Sequence, residues 1–411
     1  MTWLTATEAL RVLGVRPQTL YANVSRKKIR AKPDPKDTRR SLYHEVDVRK
    51  LARQHGGRRK AGVVAAGAIE WGDPILPSAV STVVAGRLYY RGKDAVVLSE
   101  DTTLEEVAEL LWGGDTVDFE KAWRESTGNA TGRSAVKARF SGAMGDASPP
   151  LSGLPLRGAF LALGRRASAD VSTYGRAPAV LRAEAAGVLV ALVDSMLGSA
   201  PTVRGPRASS HTESIHDRVA ASLGRRGAAD IIRRALVLLA DHELNASTFA
   251  TRVAVSTGAP LSAGVLSGLA TLSGPLHGRA ALGVLELVAA VERVGAERAV
   301  RDWLSQGRPT AGFGHPLYPG GDPRAVALLG QLTLPAEYAA LRDVVEEVIG
   351  ERPNVDFSLA VLTRVHRLPS EAPLILFALG RCVGWLAHAL EQVATGQPIR
   401  PRARYVGPPI S

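Results

Sequence analysis

Two histidines in Gly/Pro-rich turns and an aspartate at the start of an apolar segment are the residues of this chain best equipped for acid–base work. His277 stands in Ser273-Gly-Pro-Leu-His277-Gly-Arg-Ala, in a turn between two expected helices. His315 stands in Gly312-Phe-Gly-His315-Pro-Leu-Tyr-Pro-Gly-Gly-Asp-Pro-Arg324, and Asp356 in Pro353-Asn-Val-Asp356-Phe, which opens an apolar helix. A carboxylate can take a proton, and a neutral imidazole can hold a developing oxyanion if its surroundings keep its pKa low. Two further segments accompany these: Ala240-Asp-His242-Glu-Leu-Asn-Ala-Ser-Thr-Phe, and Arg381-Cys-Val-Gly-Trp-Leu-Ala-His-Ala-Leu-Glu-Gln. Near the end comes Arg400-Pro-Arg-Ala-Arg-Tyr-Val-Gly. Taken singly, each histidine reads as a loop or core residue, Asp356 as a helix cap, and Arg381 or Arg400 as surface charge. The His and Asp positions are too widely spaced for a compact metal-ligand motif.

Six separated motifs in one order carry more than any of them alone. Together they resemble the citrate synthase family over roughly residues 69–407. The resemblance implies a condensation of acetyl-CoA with oxaloacetate, in which Asp356 is the base and His277 hydrogen-bonds the thioester oxygen of the enolate. His315 is then the group that polarises the ketone. It also implies that Arg324 and Arg381 bind the two carboxylates of oxaloacetate, with His242 as a further ligand, because guanidinium forks match carboxylates. Arg400 matches an arginine that the family contributes across a homodimer interface. No metal and no permanently bound cofactor are implied; the CoA thioester is a substrate. Where the family commonly has Gly-Gly-Ala-Asn after the catalytic histidine, this chain has Gly278-Arg-Ala-Ala281, so Arg279 adds bulk and charge on the expected approach of CoA. The glycine common shortly after Asp-Phe is also missing from Asp356-Phe-Ser-Leu-Ala.

The elements that must position these groups read as helices. Ala228–Ala240 has Ile231, Ile232, Ala235, Leu236 and Leu239 at helical spacing. Residues 247–256 and 261–272 are helical segments rich in Ala, Gly, Ser and Thr, which permit close approach of a neighbouring helix. Upstream, Arg87-Leu-Tyr-Tyr-Arg-Gly reads as a strand, Thr103-Leu-Glu-Glu106 opens a helix that ends at Gly113-Gly114, and residues 127–155 read as a loop or a poorly ordered insertion. The predicted fold is mainly α, and the resemblance implies a large and a small helical domain, the small one covering roughly 278–375. No stretch is read as an uninterrupted membrane span, and Cys382, the one cysteine, excludes an internal disulfide. The expectation is a cytoplasmic protein without a membrane partner.

Charge divides the chain unevenly. Of its 51 Lys/Arg and 39 Asp/Glu, residues 1–60 hold sixteen and five, so nearly all of the net +12 lies in that first segment. Such asymmetry points to a separate module with a polyanionic partner. Thr5-Ala-Thr-Glu8 has the form of a capping box, Gly14-Val15 makes a turn, and Pro17 suits the first position of a second helix. A basic hairpin and a third helix, about Val46 to Arg53 with Val46 and Leu51 inward, follow. Leu4–Leu51 is similar to the winged helix-turn-helix domains of excisionases and mercury-resistance-type regulators. That similarity implies a module over 1–53 whose Arg16, Gln18, Thr19 and Tyr21 face the major groove of DNA, with Lys27, Lys28, Arg39 and Arg40 against phosphates. Residues 54–68 read as a basic linker, with the synthase-like region over 69–411.

Two alternatives stay open at this level. A 2-methylcitrate synthase uses propionyl-CoA, one methylene larger, and a pocket separates the two by only about 1–3 kcal/mol. The other is a DNA-binding regulator whose synthase-like region senses a metabolite.

Overall fold

The structure is a computed structural model that describes residues 3–13, 17–25, 28–35, 37–55, 76–114, 116–128, 155–198, 213–403, 405 and 407–408. Arg16, Lys27, most of the expected linker and nearly all of the expected 127–155 loop lie outside the described residues.

The N-terminal segment builds its own small core. Its elements are β1 (Trp3–Leu4), α1 (Ala6–Leu13), α2 (Pro17–Ser25), β2 (Ala31–Asp34), β3 (Asp37–His44) and α3 (Glu45–His55). The strands pair antiparallel in the order β1-β3-β2. At the start of α1, Thr5 N donates to Glu8 Oε2 over 2.8 Å while Glu8 N donates to Thr5 Oγ1 over 3.4 Å. That exchange satisfies two backbone donors the helix leaves free. Ala9, Leu13, Leu20, Ile29, Tyr43 and Val48 form the core. Val46, expected inward, is 64% exposed. Helix α3 sets Val48, Leu51 and Ala52 on the buried side at i, i+3 and i+4, which turns Val46 outward.

The body opens with a three-stranded meander, β4 (Ser81–Val84), β5 (Arg87–Tyr90) and β6 (Lys93–Asp94). Helices follow: α4 (Ala95–Asp101), α5 (Leu104–Trp112), α6 (Phe119–Gly128), α7 (Pro155–Ala169), α8 (Pro178–Leu197), α9 (Ile215–Ser222) and α10 (Ala229–Leu239). Then come α11 (Ala246–Ser256), α12 (Leu261–Leu272), α13 (Ala280–Val294), α14 (Ala296–Ser305), α15 (Pro323–Leu329), α16 (Ala336–Ile349), α17 (Val355–Val365) and α18 (Ala372–Thr395). Thr103 and Glu106 form the expected capping box on α5. The free carbonyls at the end of α4 are capped from α10, where Arg233 donates to the oxygens of Ser99, Glu100 and Thr102.

One apolar core runs from β5 through α10 and α18, and a second gathers Val284, Leu287, Trp303, Phe313, Tyr338, Leu341, Phe357 and Val361 from α13 to α17. Small side chains let α11 and α12 lie against each other and against α18. Helix α18 is 24 residues long and apolar enough to cross a membrane by length and composition, which the sequence reading did not anticipate. In the fold 94% of its most apolar window is buried in protein, so its apolarity is spent on the core. Gly384 in α18 sits where a Cβ would lie 2.3 Å from both Ala240 O and Asp241 Oδ1. Glycine is what lets α18 reach the segment that follows α10.

Candidate active site

That segment carries His242. Tyr90 of β5 fixes it from below: its hydroxyl donates toward Val237 O at 3.0 Å and accepts Asp241 N–H at 3.2 Å. Asp241 is buried and bonded to Ser81 Oγ, and His388 Nε2 lies 3.2 Å from its Oδ2. Arg252 Nη1 donates to His388 Nδ1 over 3.1 Å, so the imidazole proton sits on Nε2 and faces Asp241. Glu243 holds φ at 51°, a left-handed value uncommon for a side-chain-bearing residue, clamped because its N–H reaches Ser81 Oγ and its Oε1 accepts Val83 N–H. Asn245 then caps α11 by accepting from Ser247 N and Thr248 N.

His277 follows α12. Gly278 N donates back to Leu272 O over 2.9 Å, closing the helix end and turning His277 toward α11 and α18. Its Nε2 lies 2.9 Å from Ser247 Oγ, and its ring meets Phe377 edge-on at 6.0 Å. Burial, then the nearby Arg381 charge, pushes its pKa down to about 4, so the imidazole is neutral at physiological pH. Leu276 beside it is 88% exposed and Arg279 is exposed at the N-terminus of α13, so the turn opens outward.

His315 is placed by a turn in which Tyr318 N donates to His315 O over 2.9 Å. Gly314 precedes it at φ +69°, and a Cβ there would strike the Glu351 carboxyl at 2.6 Å. The Leu317 N–H donates to His315 Nδ1 over 3.2 Å, so that nitrogen is an acceptor and Nε2 carries the ring proton. His242 and His315 meet edge-to-face at 4.8 Å. Burial, then the charges of Arg324 and other neighbours, holds His242 well below the usual imidazole range.

Asp322 links the remaining parts. Both its oxygens bind Arg324, at 2.9 Å to Nε and 2.8 Å to Nη2, and Oδ2 also accepts Val355 N–H at 3.0 Å. Burial opposes charge on Arg324, but Asp322 together with Tyr318 and Tyr90 raises its pKa and the guanidinium stays protonated. Arg381 is 1% exposed, donates from Nε to Leu239 O over 3.0 Å, and is lowered by burial to about 10. Asp356, one residue into α17, has Oδ1 buried and without a hydrogen-bond partner among the described residues. Burial pushes its pKa up to about 7, although Arg324 and Arg381 both pull it down.

The structure therefore brings His242, His277, His315, Arg324, Arg381 and Asp356 into one electrostatic neighbourhood. Arg400 is not among them: it is exposed, beyond Ile399, whose N–H is tied to Ser256 at the far end of α11. Ser247, Asp322 and Tyr318 join the site without having been singled out from sequence, although each stands inside or beside one of its motifs. Of the basic-module residues, Thr19, Lys28 and Arg40 are exposed. Tyr21, expected to face DNA, packs instead against the second core and hydrogen-bonds Tyr43, because a phenol gains more by burying its ring and pairing its hydroxyl. The side chains of Gln18 and Arg39 lie outside the described residues.

A basic carboxylate, neutral imidazoles and two guanidiniums around one site are the equipment of an acid–base enzyme for an anionic substrate. Residues 70–402 match the family described as citrate synthase, C-terminal domain. The chain is 31% identical over 354 residues to citrate synthase 2 of Bacillus subtilis, covering 80% of this chain and 93% of that one. It is 34% identical over 346 residues to the citrate synthase of Haloferax volcanii, covering 79% and 90%. Among solved structures, the citrate synthase of Thermotoga maritima matches with a TM-score of 0.64 at 28% identity, over 82% of this chain and 94% of that one. The Thermoplasma acidophilum citrate synthase, in a ternary complex with carboxymethyl coenzyme A and oxaloacetate, shares the fold with a TM-score of 0.61 at 23% identity, over 82% and 95%. The chain belongs to the citrate synthase family.

Proposed function

We propose that this chain condenses acetyl-CoA with oxaloacetate to give citrate and free CoA. The observation that carries the reading is Asp356: a carboxylate with one oxygen unpaired and its pKa raised to about 7 is a stronger base than an exposed aspartate. It takes a proton from the thioester methyl. When Ser247 donates its hydroxyl proton to His277 Nε2, the imidazole presents Nδ1–H to the thioester oxygen and stabilises the enolate. The enolate carbon attacks the ketone carbon of oxaloacetate, whose oxygen is polarised by His315 Nε2–H and collects the proton. Water then cleaves the citryl thioester, releasing citrate and the CoA thiol. Arg324, Arg381 and His242 hold the carboxylates.

Arg400 completes the clamp of a partner subunit in this reading. Support comes from its tether at Ser256: about nine residues at roughly 1.5 Å each, some 14 Å, separate that end of α11 from Ser247. Closure of a small domain over roughly 278–375 would then exclude water from the site.

The test is thiol release from acetyl-CoA plus oxaloacetate, with Asp356→Ala lowering the rate by several orders of magnitude. Rates with propionyl-CoA in parallel decide between citrate and 2-methylcitrate synthesis. No thiol release by the wild type, together with effector-dependent DNA binding, would make the chain a sensor.

For the N-terminal segment we propose a DNA-binding winged helix. Its charge excess, its helix–helix–hairpin–helix order around a private core, and exposed Lys28 and Arg40 support this. Full-length protein should bind duplex DNA with an affinity that falls steeply with salt, and a chain starting at residue 61 should not. Binding that ignores salt would sink the idea.

A further inference from the structure

Tyr318 is 2% exposed, and its hydroxyl lies 2.9 Å from His242 Nε2. Its ring leans on His315 at 5.0 Å and on His242 at 5.5 Å, and the Arg324 guanidinium carbon lies 5.4 Å from the ring centre. One side chain thus touches three groups assigned above to oxaloacetate. Pro316 occupies the second position of the turn that joins His315 to Tyr318, and its fixed φ makes the two aromatic rings a single unit. His242 comes from a segment 76 residues away, so the bond joins two separate parts of the chain.

The direction of that bond follows from the inventory of protons. Burial raises the Tyr318 pKa, so the phenol keeps its proton, and burial keeps His242 neutral. A buried hydroxyl that only accepted from His242 would leave its own proton without an acceptor, which costs more than the bond returns. Donation to Nε2 satisfies both, and it puts the His242 proton on Nδ1.

We propose that Tyr318 is the positioning residue for the dicarboxylate: it holds His242 as the Nδ1–H tautomer, ready to donate to an oxaloacetate carboxylate. The inference rests on the oxaloacetate reading, so its test is binding rather than turnover. Oxaloacetate affinity is measured by calorimetry on the full chain for wild type, Tyr318→Phe, His242→Gln and the double variant. Tyr318→Phe should weaken binding about tenfold, the effect of losing one buried hydrogen bond. Because Tyr318 acts through His242, the double variant should bind no more weakly than the worse single one. Losses that multiply, or an unchanged affinity in Tyr318→Phe, overturn the proposal. Nitrogen-15 spectra of histidine-labelled wild type, with His242 assigned from His242→Gln, give a readout that needs no Tyr318 variant. Protonation at Nδ1 supports the proposal, and protonation at Nε2 overturns it. If wild type binds oxaloacetate in this Tyr318-dependent way yet releases no thiol, the condensation reading fails and the positioning role stands.

Discussion

Ser247 Oγ receives Trp385 Nε1–H at 3.1 Å and lies 2.9 Å from His277 Nε2, so one hydroxyl in α11 sets the orientation of an imidazole that follows α12. Indole is a donor only, which leaves the serine proton to be shared between His277 and Asn245 Oδ1, 2.7 Å away. Asn245 Oδ1 already accepts two backbone N–H groups. The enolate-stabilising tautomer proposed above is the one in which that proton goes to His277 and Asn245 Oδ1 keeps only its two backbone donors.

Ser247→Ala removes that control. Steady-state assays should show kcat lowered about 10–100-fold, the usual cost of losing the partner that orients a working group, with oxaloacetate affinity nearly unchanged. An equal loss in oxaloacetate binding would mean that Ser247 supports the clamp rather than the enolate.

The pH dependence follows from Asp356. As base it must be ionised, and its pKa in the free protein is raised to about 7. His277, lowered to about 4, stays neutral throughout the useful range. A profile of kcat/KM should therefore rise from pH 5 and level off above about pH 8, with its midpoint near 7. A flat profile over that range would contradict the assignment.

The same carboxyl weakens the fold. Its folded pKa is raised above the unfolded value, so its contribution is fully favourable only below the ordinary aspartate range and is lost as pH climbs through about 7. Asp356→Asn should unfold at a higher temperature than wild type, by several degrees at pH 8 and by less at pH 5. Thermal melts at the two pH values check this.

Subunit exchange tests Arg400. Asp356→Ala and Arg400→Ala proteins should each be nearly inactive. Mixed and re-associated in equal amounts, they should recover about a quarter of wild-type activity, because half of the dimers are mixed and each holds one intact site. Recovery of nothing would show that Arg400 serves its own chain or none.

Much of this site was legible because His242, His277, His315, Arg324, Asp356 and Arg381 each stand in a contiguous motif. What escaped depends on contacts between motifs. Ser247 meets His277 across 30 residues, Asp322 meets Val355 across 33, and Tyr318 meets His242 across 76. No local periodicity reports such pairs. Val46 was misplaced for the opposite reason: a purely local choice of face had two answers, and the packing of α3 on Tyr43 and Leu13 selected Val48. Helix α18 illustrates a third limit, since composition alone does not distinguish a core helix from a membrane one.

Gly384 carries the widest implication for how this protein tolerates change. Even alanine there would bring a methyl group to 2.3 Å from Ala240 O and Asp241 Oδ1. In a library selected for growth on the condensing activity, position 384 should be nearly monomorphic while exposed sites on α14 vary freely. A sequence drifting away from glycine would have to shift α18 and the His242 segment together. The path to a remodelled substrate pocket therefore runs through coordinated multiple changes at this crossing, not through single steps.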